Sequence, residues 1–402
     1  MATADELAGR AVLAPVEDVR ATVLRSGSDL ADLDASAETL LVEVVDAEGR
    51  IGIGEADTAS RAGQALVQME GVHRWNAGLR DTLLGADPVQ VQALWHRMVE
   101  RTRYVGPSGV ARHAIAAVDM ALHDLAGKQL GRPAHHLLGG ARQERVTPYA
   151  TVYAGAVRDR TLAELMQDTT QRLLCALEQG FRAVKMEVIF EEAASDAQLV
   201  DCIREGRRVV GDDVPLLVDF GYRWTSWRDA LWVLRRVEAC GLWLAEAVLP
   251  HDDLEGHARL APRIEPRLGG AEMASTLEEC RAWIELGGVD VLQPDIARAG
   301  GLTELRRIAE LAALHGVEVV PHNWKTGIDA AAARHLQVAS GNVPLIEMFT
   351  PELFESPLRR DLVRPEPVVI DGHVALPDAP GLGVELVPET VAAYAVGALA
   401  PS

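Results

Sequence analysis

Six polar residues recur at near-constant spacing through the second half of this 402-residue chain, each closing a short apolar run. They are Asp219 (LLVDFGYRW), Glu246 (LWLAEAVLP), Glu272 (RLGGAEMAS), Asp295 (VLQPDIARAGG), His322 (VEVVPHNWKTG) and Glu347 (PLIEMF). The intervals are 27, 26, 23, 27 and 25 residues, each the length of one strand plus one helix. That period puts all six side chains at the C-terminal ends of consecutive parallel strands, where a (β/α) barrel carries its active site.

The first three supply hard anionic oxygens, which suit Mg²⁺ or Mn²⁺ and not zinc. A single acid here would read as a salt bridge or helix cap; three in register point to a metal site. Asp295 and His322 end adjacent strands. A carboxylate on one ring nitrogen orients an imidazole and raises its basicity, leaving the other nitrogen for proton transfer. Lys185 and Glu187, in AVKMEV, lie two residues apart and so share one face of a strand, the barrel interior. Lys185 can bind a substrate carboxylate or stabilise developing negative charge, or pair with a neighbouring acid. Glu347 can donate a hydrogen bond to substrate if burial keeps it protonated; otherwise it partners Lys185.

These residues need a scaffold. From Thr147 onward the strand candidates are VTPYATVY, RAVKMEV, PLLVDF, LWLAEA, PRLGGAE, VDVLQPD, VEVVPHN and PLIEMF. Helical patterns separate them, clearest in TLAELMQDTTQRLLCALEQG, SDAQLVDCIREGRRVVG and LTELRRIAELAALHG. The expected fold is α/β, a (β/α)7β TIM-like barrel over residues 141–354. Residues 1–140 read differently, as an α+β capping domain. LLVEVVDAEGRIGIGEA predicts a hairpin turning at Asp46–Gly49, and Ile115, Val118, Leu122 and Leu125 share one helical face. Segment 355–402 is Pro-rich and expected to return over the first domain.

Bulk properties set limits. With 48% hydrophobic and 24% charged residues, a large core is expected. The net charge of −20 excludes nucleic acid and anionic membrane as partners. Cys175, Cys202, Cys240 and Cys280 fit no metal knuckle or disulfide framework, and read as buried thiols. No apolar h-region opens the chain and no run reaches a membrane span, so a cytoplasmic protein is expected.

SGVARHAIAAVDMALHDLAGKQLGRPAHHLLGG, followed in order by AVKMEV, LLVDF, LAEAVLP, GGAEMAS, QPDIARAGG and VPHNWKTGI, resembles the enolase superfamily and its mandelate racemase-like subgroup. The resemblance spans essentially the whole chain. It implies that Asp219, Glu246 and Glu272 bind Mg²⁺ (Mn²⁺ as the alternative) and that Lys185 touches the substrate carboxylate. It makes the Asp295–His322 dyad a general base and Glu347 a hydrogen-bond donor. The Arg25–Ser36 loop and the region near Asp57 would cap the pocket, and a homo-oligomer is expected. The shared step is removal of the proton α to a carboxylate of a small-molecule substrate. One position departs: the family usually carries Lys-x-Lys, and Glu187 replaces the second lysine. A carboxylate near a divalent cation should have a low pKa and be a poor base. Gly221 is a second departure, where relatives often carry a polar residue. The expected activity is therefore a sugar-acid dehydratase, a hydro-lyase working with one base. The alternatives are a cycloisomerase on a sugar-acid lactone or muconate-like compound, an epimerase if Glu187 is an active base, or a non-catalytic binding barrel.

Overall fold

The computed structural model describes residues 13–27, 35–190 and 193–397. Three antiparallel strands open it: β1 (Val16–Arg25), β2 (Glu38–Asp46) and β3 (Ile51–Ala56), in the order β1-β2-β3. The β2–β3 hairpin follows the sequence expectation, whereas β1 does not stand out in the sequence. A register shift between Val16 and Asp18 breaks its period-two alternation. The Arg25–Ser36 loop falls largely outside the described residues.

Helix Val110–Leu130 packs across this sheet and is buried on nearly every face. It lies close because β3 presents glycines to it. A Cβ on Gly52 would stand 2.1 Å from the Ala121 carbonyl oxygen, and one on Gly54 2.0 Å from that of Ala117. Ile115, Val118, Leu122 and Leu125 are all buried, and the helix stops at Gly131, whose φ of 61° is left-handed.

Eight parallel strands follow: β4 (Pro148–Val152), β5 (Val184–Glu187), β6 (Leu216–Asp219), β7 (Leu244–Glu246), β8 (Arg267–Gly270), β9 (Val291–Leu292), β10 (Glu318–Val319) and β11 (Ile346–Met348). Their order is β10-β9-β8-β7-β6-β5-β4-β11, and seven helices join them. This is the expected (β/α)7β barrel. Between β10 and β11 the curl is completed by single bonds, Val319 N to Asn342 O at 2.9 Å and Asn323 N to Glu347 Oε2 at 2.8 Å.

Inside, Tyr149, Ala183, Leu217, Leu244, Val291, Val320 and Leu345 form a buried apolar floor. Two residues further along each strand stand Thr151, Lys185, Asp219, Glu246, Gln293, His322 and Glu347. Strand period two makes each polar side chain rise from the floor residue beneath it. Packing the floor therefore aims the chemistry.

The tail returns along the first domain. Val396 N donates to Val23 O at 2.8 Å, and Gly381 N to Arg132 O at 3.0 Å. Buried Asp124, on the long helix, accepts from Ile53 N at 2.9 Å and Leu382 N at 2.8 Å, with Lys128 Nζ at 2.9 Å. One carboxylate thus ties sheet, helix and tail together. Among the described residues no helix is long and apolar enough to cross a membrane. Asp124→Ala would strand two buried N–H groups and leave Lys128 with only Ile51 O and Glu385, so a loss of about 3 kcal/mol is expected. Thermal denaturation checks this, and an unchanged midpoint would remove Asp124 as the tie.

Candidate active site

Lys185 is the hub. Its Nζ, 1% exposed, lies 2.7 Å from Glu347 Oε1, 2.8 Å from Glu246 Oε1 and 3.9 Å from Asp219 Oδ2. Burial opposes its charge, but Glu246 and Glu347 more than offset this and push the ammonium well above the lysine range.

Glu347 takes the second of the two roles open to it, as partner of Lys185. Burial favours its protonated form, yet Lys185 and His322 reverse the balance and hold it below the usual carboxylate value. Thr151 Oγ1 and Lys185 share Oε1, and Asn323 N takes Oε2 at 2.8 Å. Glu347 is thus an acceptor for Lys185, Thr151 and Asn323 in this structure.

Asp219 and Glu246 sit side by side in register on β6 and β7, with Glu187 on the same row and Gly269 completing it on β8. Gly269 leaves room there: a Cβ would stand 2.3 Å from Gln293 Oε1. Gln293 Nε2 can therefore reach Glu246 Oε2, at 2.6 Å. Glu272 lies beyond the end of β8, one residue out of phase with the row. Ala271, with φ of 87°, turns the chain at that point. Tyr222 then donates to Glu272 Oε1 at 2.7 Å, and His322 Nε2 stands 4.0 Å from Glu272 Oε2.

Burial and mutual repulsion raise the pKa of both Asp219 and Glu246. Among the described residues no three acidic, thiol or imidazole groups converge as a ready-made ion site. Lys185, Gln293, Tyr222 and Gly221 N instead share the carboxylate oxygens. The donor set still fits a hard divalent cation, being all carboxylate and short of positive charge.

Glu187 is buried among the same groups. Desolvation and the Asp219 charge push it well above the carboxylate range. A low pKa was expected from the field of a divalent cation; the protein's own groups act in the opposite direction.

The dyad forms as the spacing predicts. His322 Nδ1 lies 2.6 Å from Asp295 Oδ2, and Ala297 N donates to Asp295 Oδ1 at 2.7 Å. Asp295 therefore fixes the ring with Nε2 toward the mouth. Burial opposes a charged imidazole, but Glu272 and the Asp295 bond hold it up at about 10.

Three residues beyond each dyad member stands a cation, Arg298 and Lys325. Both converge on Asp57 from the first domain: Lys325 Nζ is 2.8 Å from Oδ1, and Arg298 pairs with Oδ2. These cations overcome the cost of burial and hold Asp57 at about 2. Asp57, in the region expected to cap the pocket, latches the two domains with its carboxylate. His135, read as structural, is buried against His335. Cys202, Cys240 and Cys280 are buried free thiols, and Cys175 is half-buried.

Residues 168–390 match the family described as enolase C-terminal domain-like, and residues 28–139 the mandelate racemase / muconate lactonizing enzyme N-terminal domain. The chain belongs to the enolase superfamily. Within the mandelate racemase-like subgroup it is 31% identical to D-galactarolactone cycloisomerase from Agrobacterium fabrum, over 86% of this chain and 88% of that protein. It is 32% identical to L-rhamnonate dehydratase from Saccharopolyspora erythraea, over 87% of this chain and 84% of that one. A racemase from Streptomyces coelicolor A3(2), solved with bound magnesium, superposes with a TM-score of 0.78 at 27% identity. That match covers 95% of this chain and all of that one. Membership makes the chain an enzyme of this superfamily, whose members bind Mg²⁺.

Sequence reading missed Thr151, Gln293 and Tyr222. The first two carried a usable signal, since each stands two residues past an apolar floor position. Lys185→Met would leave Glu187, Asp219, Glu246 and Glu347 without their shared cation, costing about 3–5 kcal/mol. Carboxylates raised in the folded state bind protons more tightly than unfolded ones, so the deficit should widen from about pH 5 to pH 8. Thermal melts in EDTA measure it, and millimolar Mg²⁺ should restore part. A variant as stable as the parent at the higher pH would show that the cluster does not depend on Lys185.

Proposed function

We propose that this enzyme dehydrates a sugar acid, an aldonate or aldarate, to a 2-keto-3-deoxy acid with Mg²⁺ (or Mn²⁺) held by Asp219, Glu246 and Glu272. The carrying observation is the asymmetry of the mouth. The Asp295–His322 dyad stands on one side, while β5 offers Glu187, packed in register beside Asp219, where a second lysine base would stand.

The bound cation would supply positive charge against the three carboxylates and the developing enediolate. Lys185 adds a second positive charge near the substrate carboxylate. Glu347, itself held by the Thr151 hydroxyl, keeps that ammonium in place. A cation on Glu272 would offset the main charge that keeps the imidazole protonated; with Asp295 accepting from Nδ1–H, His322 Nε2 is then free to take the α-proton. The electron pair of the broken C–H bond then forms the Cα–Cβ double bond as the β-hydroxyl leaves. His322 Nε2–H returns its proton to that hydroxyl, which departs as water, and the enol tautomerises to the 2-keto acid. One base serves both steps when both groups leave from its side.

A second reading is favoured by the likeness to D-galactarolactone cycloisomerase. The same elimination can expel a ring oxygen, which stays tethered to the product. An acid-sugar library assayed with semicarbazide and mass spectrometry separates the two: dehydration loses one water, and cycloisomerisation leaves the mass unchanged. Deuterium at an α-carbon of inverted configuration in D₂O would instead indicate epimerisation and restore Glu187 as a base. His322→Asn should lower turnover by about a thousandfold while Mg²⁺ still binds. Turnover that survives this substitution would overturn the assignment of the base.

A further inference from the structure

A cavity of about 720 Å³ lies outside the barrel wall, between helix Gly327–Ala339 and the returning tail. Pro365, Val368, Ile370 and Leu376 form its apolar walls, and no residue of the catalytic mouth lines it. Arg334, on the helix, also lines it. This guanidinium is 9% exposed, its Nε lacks a hydrogen-bond partner, and it makes no ion pair among the described residues.

Arg359 nearby provides the contrast. It is 1% exposed and forks onto Glu366, at 2.6 and 2.5 Å. Two buried guanidiniums therefore share the neighbourhood of one carboxylate, and that carboxylate is committed to Arg359. Burial pushes Arg334 down to about 10; Glu366 offsets this only in part, and Arg359 adds to it. A buried guanidinium with no acceptor is a costly arrangement, and a carboxylate matches its fork with two parallel bonds.

The rest of the cavity narrows the ligand. Its volume falls within the roughly 300–1,000 Å³ of small-molecule sites. Glu144, Glu366, Asp371 and Asp378 outweigh Arg145 and Arg334 in its lining and oppose polyanions, while exposed Pro365, Val368 and Ile370 offer apolar surface to an uncharged hydrocarbon body. We propose that this cavity is a second ligand site, which takes a small monocarboxylate with an apolar body on Arg334.

Calorimetric titration with hexanoate tests this, with hexanamide as the neutral control. It needs no turnover, so its outcome is independent of the proposed reaction. Hexanoate should bind the native enzyme and hexanamide should not. Arg334→Met should weaken hexanoate by at least about tenfold, and Arg334→Lys should fall between, keeping the charge without the fork. Arg334→Met should melt no lower than the parent, because it removes an unpaired buried charge. Equal binding to Arg334→Met, or no binding to the native enzyme, overturns the proposal. In the latter case a changed oligomeric mass of Arg334→Met assigns the guanidinium to a contact between subunits.

Discussion

One ammonium group holds the mouth of this barrel together. Lys185 is enclosed by buried carboxylates that would otherwise repel one another. Charges so placed are stable only when matched, and one lysine cannot match Glu187, Asp219, Glu246 and Glu347. The deficit defines the site. It favours protons or a further cation, and it sets Glu347 apart, because the lysine lies nearest to that carboxylate and Thr151 and Asn323 add donors. Identical side chains are thus pushed in opposite directions according to which donors reach them.

What was legible in the sequence follows from distance along the chain. The acids that close strands, the dyad and the barrel itself were readable, because each depends on a local apolar run and a repeating interval. Which of its two roles Glu347 takes was not, because its partners Lys185 and Thr151 lie 162 and 196 residues away. Glu187 was visible as a departure, but burial beside Asp219 appears only once β5 and β6 are in register. Strand β1 was hidden by its own bulge. Asp57 reads as an ordinary strand-end acid until the loops after β9 and β10 bring two cations to it.

That latch joins two parts of the enzyme. Arg298 and Lys325 leave the strands that carry Asp295 and His322, so the first domain grips the two loops that hold the base. Asp57 N also donates to Ala297 O, and Ala297 N holds Asp295 Oδ1. A displacement of the first domain would therefore be felt at the imidazole through two covalently adjacent bonds. The cap does more than cover the mouth; it sets the posture of the dyad.

The turn at Ala271 has a different consequence. Asp219 and Glu246 are carried by strands, so their separation is a property of the sheet. Glu272 hangs beyond its strand on a left-handed residue, a conformation that costs a non-glycine side chain about 1–3 kcal/mol. In the proposed metal site two of the three carboxylates would thus be placed by the sheet and the third by a turn, so a change at Ala271 would move Glu272 while Asp219 and Glu246 keep their register.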